Sequence, residues 1–444
     1  MPQDWSHQDK TLELYNQINR SFDTSDAGTG KTKPLIDSIK PELGSTLILC
    51  PKSLMATVWS DEIAKFRPEL LTQLCYAKNR EEAFKAPADV YITNIDAATW
   101  LGKKTPKFFK HFETLIIDES TAYKHNTSAR SKAVNKFKKF FNTRRLASGT
   151  PTAGNISDLW NQVYIIDDGD TFGTSFTRFR QMTMDSTQVG PMANMVKWRN
   201  KQGIEEVVAS MMQNMNIRHK FDDCVSIPDD FKYSETYYMP TSQQKAYKTM
   251  KTTASVMLKK GEVNAVNAAA VTTKLLQIAS GAVYDGDGRA NLVDTGRYEL
   301  IMEMISQRDH TVCFFNWRHQ REELTRLADK LGITYCYIDG TVGDKDRLRY
   351  IRGFQNGDYQ AIFLHPQSAA HGITLTTANT TIWASPTYMG DIFLQGNARI
   401  RRAGQKRKTE TILIRAAGTI EESVYKALEG KLDSIKILQE VLEA

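Results

Sequence analysis

Nowhere in these 444 residues does an apolar run approach the roughly 18 residues needed to cross a bilayer, so no membrane span is expected. Cysteine is scarce. Cys50, Cys75, Cys224, Cys313 and Cys336 are the only five, and no two form a C-x-x-C pair, which argues against a disulfide scaffold, a zinc knuckle or a redox dithiol. They read as ordinary thiols in a reducing compartment. The start, MPQDWSHQDK, lacks the basic-then-apolar layout of a secretory signal, so export is not expected. Low-complexity linkers and solenoid repeats are missing as well. Acidic residues are absent from Lys124 to Arg145, a stretch that holds Lys124, Arg130, Lys132, Lys136, Lys138, Lys139, Arg144 and Arg145. The overall surplus of +7 is therefore uneven, and the run suits a solvated helix face, a localisation signal or a polyanionic partner.

What is present is a twofold alternation. Short β-rich runs occur at Thr46 to Cys50, Val90 to Thr93, Thr114 to Asp118 and Arg145 to Ser148. They recur at Thr311 to Phe315, Thr334 to Ile338, Ala361 to Leu364, Thr380 to Trp383 and Thr409 to Ile414. Helical patterns lie between them, which predicts two α/β domains with parallel sheets. From about Ser157 to Val283 the chain reads as helical and rich in methionine, a pattern of core packing. Ala282 to Val293 predicts a β-hairpin around Asp-Gly-Asp-Gly, and Thr419 to Leu442 has helical spacing.

Ser25-Asp26-Ala27-Gly28-Thr29-Gly30-Lys31-Thr32 precedes a helical pattern, the arrangement of a phosphate loop. Glycines let backbone N–H groups turn toward phosphate oxygens, Lys31 neutralises their charge, and Thr32 can hold magnesium. Leu115 to Ile117 runs into Asp118-Glu119. Beside a phosphate loop these two acids divide the chemistry, Asp118 orienting hydrated magnesium and Glu119 activating water. Arg399 and Arg402, on an expected helix in GNARIRRAGQ, offer the cations that a phosphoryl transition state needs, although a basic helix touching nucleic acid is a compatible alternative.

At this point the motifs resemble those of superfamily-two helicases. Gly28 to Thr32, Asp118-Glu119-Ser120-Thr121, Ser148-Gly149-Thr150-Pro151 and Gln395 to Gln405 are similar, in order, to motifs I, II, III and VI, the last in its Swi/Snf form. Leu47 to Glu62, Tyr91 to Asn94, Phe314 to Arg318 and Ser368 to Thr380 look like motifs Ia, Ib, IV and V, and Asp339-Gly340-Thr341 like a turn of that branch. The resemblance implies two RecA-like lobes, with lobe one at 1–156, a mainly helical insertion at 157–283 and lobe two at 284–444. ATP and magnesium would serve as cofactors. Gln8, Gly28, Thr29, Gly30, Lys31, Thr32 and Gln395 are the expected nucleotide contacts, with Gln8 reading adenine; Ser148 and Thr150 are the expected coupling residues. DEST stands where DEAH is commoner, so the coupling histidine is absent while both acids remain.

The same resemblance implies duplex DNA as the partner. The expected DNA-facing set is Lys52, Ser53, Thr93, Asn94, Lys136, Lys138, Lys139, Asn316, Trp317, Arg318, Thr341, His371 and Gly372, with Tyr388 where the family usually has tryptophan. Four functions compete: a motor acting on forks and junctions, a translocase displacing proteins, an RNA helicase, and a nucleotide-gated binding module. The intact Lys31, Asp118, Glu119, Arg399 and Arg402 argue against the last, and the Swi/Snf form of motifs V and VI against the third. The expectation is therefore a DNA helicase or translocase working on branched DNA in replication, recombination or repair. It would be cytoplasmic (host cytoplasm if viral), with unidentified replication or recombination proteins as possible partners.

Overall fold

The computed structural model describes residues 6–152, 155–189, 195–224, 228–259, 265–369 and 373–441. The chain folds as two compact units, Met1–Ser226 with Lys431–Ala444, and Ile227–Gly430. The segment 157–283 falls on both sides of that division, its first part with unit one and the rest with unit two.

Unit one is built on seven parallel strands: β1 (Arg20–Asp23), β2 (Ser45–Cys50), β3 (Thr72–Cys75), β4 (Val90–Asn94), β5 (Phe112–Asp118), β6 (Thr143–Ala147) and, after an antiparallel hairpin of β7 (Met184–Gln188) and β8 (Val196–Asn200), β9 (Asn216–Ile217). Their order is β3-β4-β2-β5-β6-β1-β9. Alternation along β2 and β5 explains why both faces are buried. Leu47, Leu49, Leu115 and Ile117 join one apolar cluster, while Ile48, Cys50 and Ile116 join another across the sheet. The hairpin occupies sequence expected to be helical; Trp198 packs against the core while Lys197 and Arg199, alternating with it, stay exposed.

Unit two carries six parallel strands in the order β10-β17-β16-β13-β15-β14. They are β10 (Asp230–Tyr237), β13 (Thr311–Phe314), β14 (Tyr335–Ile338), β15 (Ala361–Leu364), β16 (Thr380–Trp383) and β17 (Thr409–Ala416), with the anticipated hairpin formed by β11 (Ala282–Tyr284) and β12 (Ala290–Leu292). On one face, Phe314 stacks on Trp383 at 4.4 Å, and the helix Gly390–Asn397 lies over them. Gly396 makes that approach possible, since a Cβ there would sit 3.0 Å from Trp383 and 3.1 Å from Phe314. A bidentate pair, Arg297 to Glu421, is sealed inside the unit, with Arg297 also donating to the Ala384 carbonyl.

Candidate nucleotide and nucleic-acid sites

The phosphate loop leaves β1 at Asp23 and curls through Gly28 and Gly30, whose φ values of 92° and 76° lie where side chains are strained. Lys31 folds over the loop, its Nζ donating to the carbonyls of Ser25 (2.7 Å) and Asp26 (2.8 Å), and Thr32 opens the helix Thr32–Asp37. Gln8, in the helix Ser6–Gln17, is buried and donates to the Gly30 carbonyl at 3.1 Å, while the His7 ring meets the Thr29 carbonyl at 2.7 Å. These contacts place Gln8, Gly28, Thr29, Gly30, Lys31 and Thr32 together.

A second wall of the loop carries no motif of its own. The residues after β9 grip it: Arg218 donates to the Thr24 carbonyl and to Asp26 Oδ1 (2.6 Å), His219 N–H donates to Ser25 Oγ (3.0 Å), and Phe221 N–H to Asp26 Oδ2 (3.0 Å). Asp26 N–H returns a bond to the His219 carbonyl at 3.0 Å.

Asp118 ends β5 half-buried, where Trp59 Nε1–H donates to its Oδ2 at 3.0 Å and the Glu119 N–H to its Oδ1 at 3.0 Å. Burial, and then the charge of Glu119, push its carboxyl up to about 6, with Trp59 and Lys31 opposing the shift. Trp59 reaches it from a π-helical turn, Met55–Ser60, a rare element often found at functional sites. Glu119 itself is left-handed at φ 56°, a conformation costing an L-residue about 1 kcal/mol or more and kept where function requires it. Two adjacent half-buried carboxylates suit a divalent cation. Thr32 and Asp118 are the residues that would hold magnesium.

Ser148 and Thr150 are buried beyond β6, and the Thr150 N–H donates to Ser148 Oγ at 3.3 Å. Gly149 lies against the phosphate loop, where a Cβ would come within 3.1 Å of the Ala27 nitrogen.

In unit two, Arg399 and Arg402 do not lie on a helix. The helix ends at Asn397, and both arginines sit on the turns that follow, because the chain there pairs with 373–378 instead. Leu375 N–H donates to the Arg399 carbonyl at 2.9 Å, Arg402 Nη1 to Thr374 Oγ1 at 3.1 Å, and Gln405 Nε2 to the Ala378 carbonyl at 2.8 Å. Arg399 and Gln395 are buried within the unit.

The expected DNA-facing residues divide. Lys52, Lys136, Lys139, Arg318 and Thr341 are exposed and Ser53 is half-buried, while His371 and Gly372 lie outside the described residues. Lys138 is not available. Its side chain is 3% exposed, paired with Asp168 at 3.1 Å and set 3.5 Å from the Tyr164 ring centroid, and burial lowers its ammonium to about 8. Arg144 joins the same Asp168 at 2.7 Å, and Arg145 donates to the Tyr15 carbonyl at 2.7 Å, so three cations of the basic run brace the interior of unit one. Thr93 is likewise buried, its hydroxyl donating to the Cys75 carbonyl at 2.8 Å. Asn94 accepts from Arg80 at 2.9 Å. Asn316 spends its amide on Ser385 and Pro386, and half-buried Trp317 precedes the helix Arg318–Leu331.

The sequence matches the SNF2-related domain over residues 9–281 and the helicase conserved C-terminal domain over residues 296–404. The chain belongs to the SNF2-related family. This places it in the Swi/Snf branch of the superfamily-two ATP-dependent helicases and translocases, whose RecA-like lobes are the two parallel α/β units, and makes ATP its fuel. Phage protein p41 of Acyrthosiphon pisum secondary endosymbiont phage 1 is 25% identical over 96% of this Swi/Snf-type chain and 95% of its own length. Chromodomain-helicase-DNA-binding protein 1-like of Mus musculus is 22% identical over 88% of the chain and 44% of its own length. For the ISWI chromatin-remodeling complex ATPase CHR11 of Arabidopsis thaliana the values are 24%, 96% and 42%, so the chain spans under half of these two relatives. The Sulfolobus solfataricus SWI2/SNF2 ATPase core in complex with dsDNA aligns over 98% of this chain and 92% of that one, at 21% identity and a TM-score of 0.43.

Proposed function

We propose that this Swi/Snf-type ATPase translocates along duplex DNA and remodels forked or branched DNA, by fork unwinding or junction branch migration, in replication, recombination or repair. The observation that carries the ATP-driven step is the half-buried Asp118–Glu119 pair, with Asp118 within electrostatic reach of Lys31, at the end of β5 and so two strands from the β1 that leads into the phosphate loop. Lys31 binds the phosphates, Glu119 takes a proton from the attacking water, and Trp59 fixes Asp118. Magnesium, held by Thr32 and Asp118, would supply charge neutralisation at the transferring phosphoryl group.

Branch migration suits a small translocase energetically. Opening a base-pair step costs on average about 1.4 kcal/mol, and at a junction re-pairing nearly offsets it. Of the two hairpins, β7–β8 is the better candidate wedge, because it exposes Lys197 and Arg199 against Asp185, a net positive charge, whereas the tip of β11–β12 carries Asp285 and Asp287 against Arg289, a net negative one. Kinship with chromatin-remodelling ATPases favours a second reading, a translocase that slides or displaces bound proteins.

A panel of linear duplex, forked DNA, mobile four-way junction and RNA duplex tests the proposal. The expected result is ATP hydrolysis stimulated by the DNAs and not by RNA, with ATP-dependent conversion of the fork or junction. Hydrolysis on DNA with neither structure moved, but a bound protein stripped from duplex, would replace the first reading with the second.

A further inference from the structure

Helix Asp158–Asp167 carries a residue out of keeping with its surroundings. Gln162 is fully buried, among neighbours that include Leu159, Val163, Ile165 and Ile166, all at 0% exposure. A buried amide is costly unless its hydrogen bonds are made, and here they are. Ser120 Oγ donates to its Oε1 at 2.7 Å, and its Nε2 donates to the Pro151 carbonyl at 2.7 Å and the Asp158 carbonyl at 2.8 Å. Two carbonyls on one side and a hydroxyl on the other fix which end of the amide is nitrogen.

Each partner matters to the site. Ser120 directly follows the left-handed Glu119 and is itself fully buried. Pro151 closes the segment whose Gly149 presses on Ala27 of the phosphate loop and whose Ser148 N–H donates to the Asp23 carbonyl at 3.0 Å. The same helix is anchored to the turn after Glu119 twice more, through Asn161 Nδ2 to the Tyr123 carbonyl (2.5 Å) and Asp158 to Lys124 (3.7 Å). A purely apolar helix face would pack this site at less risk, so the amide's use lies in what it connects.

We infer that Gln162 is a positioning residue, the physical link that sets Glu119 according to the position of the 148–151 segment, in place of the histidine that DEST lacks. It acts through Ser120 on the backbone that aims Glu119 at water, and it touches neither nucleotide nor metal. The inference rests on the assignment of ATP hydrolysis to Asp118 and Glu119.

The test measures kcat and KM for ATP, with and without duplex DNA, together with Tm, for Gln162→Leu, Ser120→Ala and the double variant. Cutting the link at either point should lower DNA-stimulated kcat about 10-fold or more with KM changed less than about 2-fold, and the double variant should be no slower than the worse single one. Replacing both partners by apolar groups removes the unsatisfied hydroxyl, so the Tm of the double variant should recover above that of Gln162→Leu while kcat stays low. Recovery of kcat along with Tm, factors that multiply, or unchanged kcat in either single variant would overturn the inference. Should Gln162→Leu fold poorly, Ser120→Ala alone still decides through its kcat-against-KM split. A wild-type enzyme without DNA-stimulated hydrolysis would instead defeat the functional reading beneath it.

Discussion

Asp118 is held at about 6 when folded and returns to the ordinary carboxylate range when the chain unfolds. A raised folded value means that its stabilising share is complete below about pH 4 and lost as pH rises through 6, so at neutral pH the charged group opposes folding. Asp118→Asn is therefore expected to melt a few degrees higher than wild type at pH 7.5, with the gap closing near pH 4; a scanning calorimetry series over that range reads it, and equal Tm values throughout would show that the charge is no burden. Lys31→Ala and Glu119→Gln should each reduce turnover on the order of 100-fold or more, the first with weakened ATP binding and the second with binding retained. A fluorescent ATP analogue separates the two, and near-normal turnover in both would remove the assigned site.

At the scale of elements, the basic run splits into surface and brace. Lys136 and Lys139 face solvent, while Lys138 is spent on Asp168 and Tyr164. Lys136→Ala with Lys139→Ala should weaken duplex binding and reduce the slope of log affinity against log salt by up to about 2, as two released counterions require. Lys138→Ala should leave the slope alone and lower Tm by a few degrees. A salt-titrated affinity on both variants decides, and identical slopes would return the run to a merely solvated face. The sequence showed this run but not its division, because burial of Lys138, Arg144 and Arg145 depends on Asp168, Tyr164 and Tyr15, which carry no local signal. The strands divide for a related reason. Runs such as TLILC and TVCFF were legible because both of their faces are apolar, whereas β1 (RSFD) and the edge strands β3 (TQLC) and β10 (DFKYSETY) read as polar. Within the site, contiguous motifs such as the phosphate loop could be read directly. Trp59, Gln162 and Arg218 could not, since their partners lie 59, 42 and 192 residues away.

For the whole molecule, hydrolysis and mechanical output should be separable. Trimming the outer half of the β7–β8 hairpin is expected to spare DNA-stimulated ATPase while slowing fork or junction conversion about 10-fold or more. Gel-resolved products from a mobile junction check this, and unaltered conversion would leave the hairpin as a connector. A different consequence follows from the grip of residues 218–221 on the phosphate loop. The loop emerges from the ribosome early, but the wall that braces it is encoded about halfway along the chain, and β9 must first join β1. A nascent chain stalled before Asn216 should thus bear the nucleotide motif yet hold an ATP analogue weakly, whereas one stalled well beyond Cys224 should hold it, and a ribosome-bound length series would show the step. On that account fuel binding is withheld during synthesis until residues 216–221 have closed on β1 and the loop, so a chain shorter than that consumes nothing.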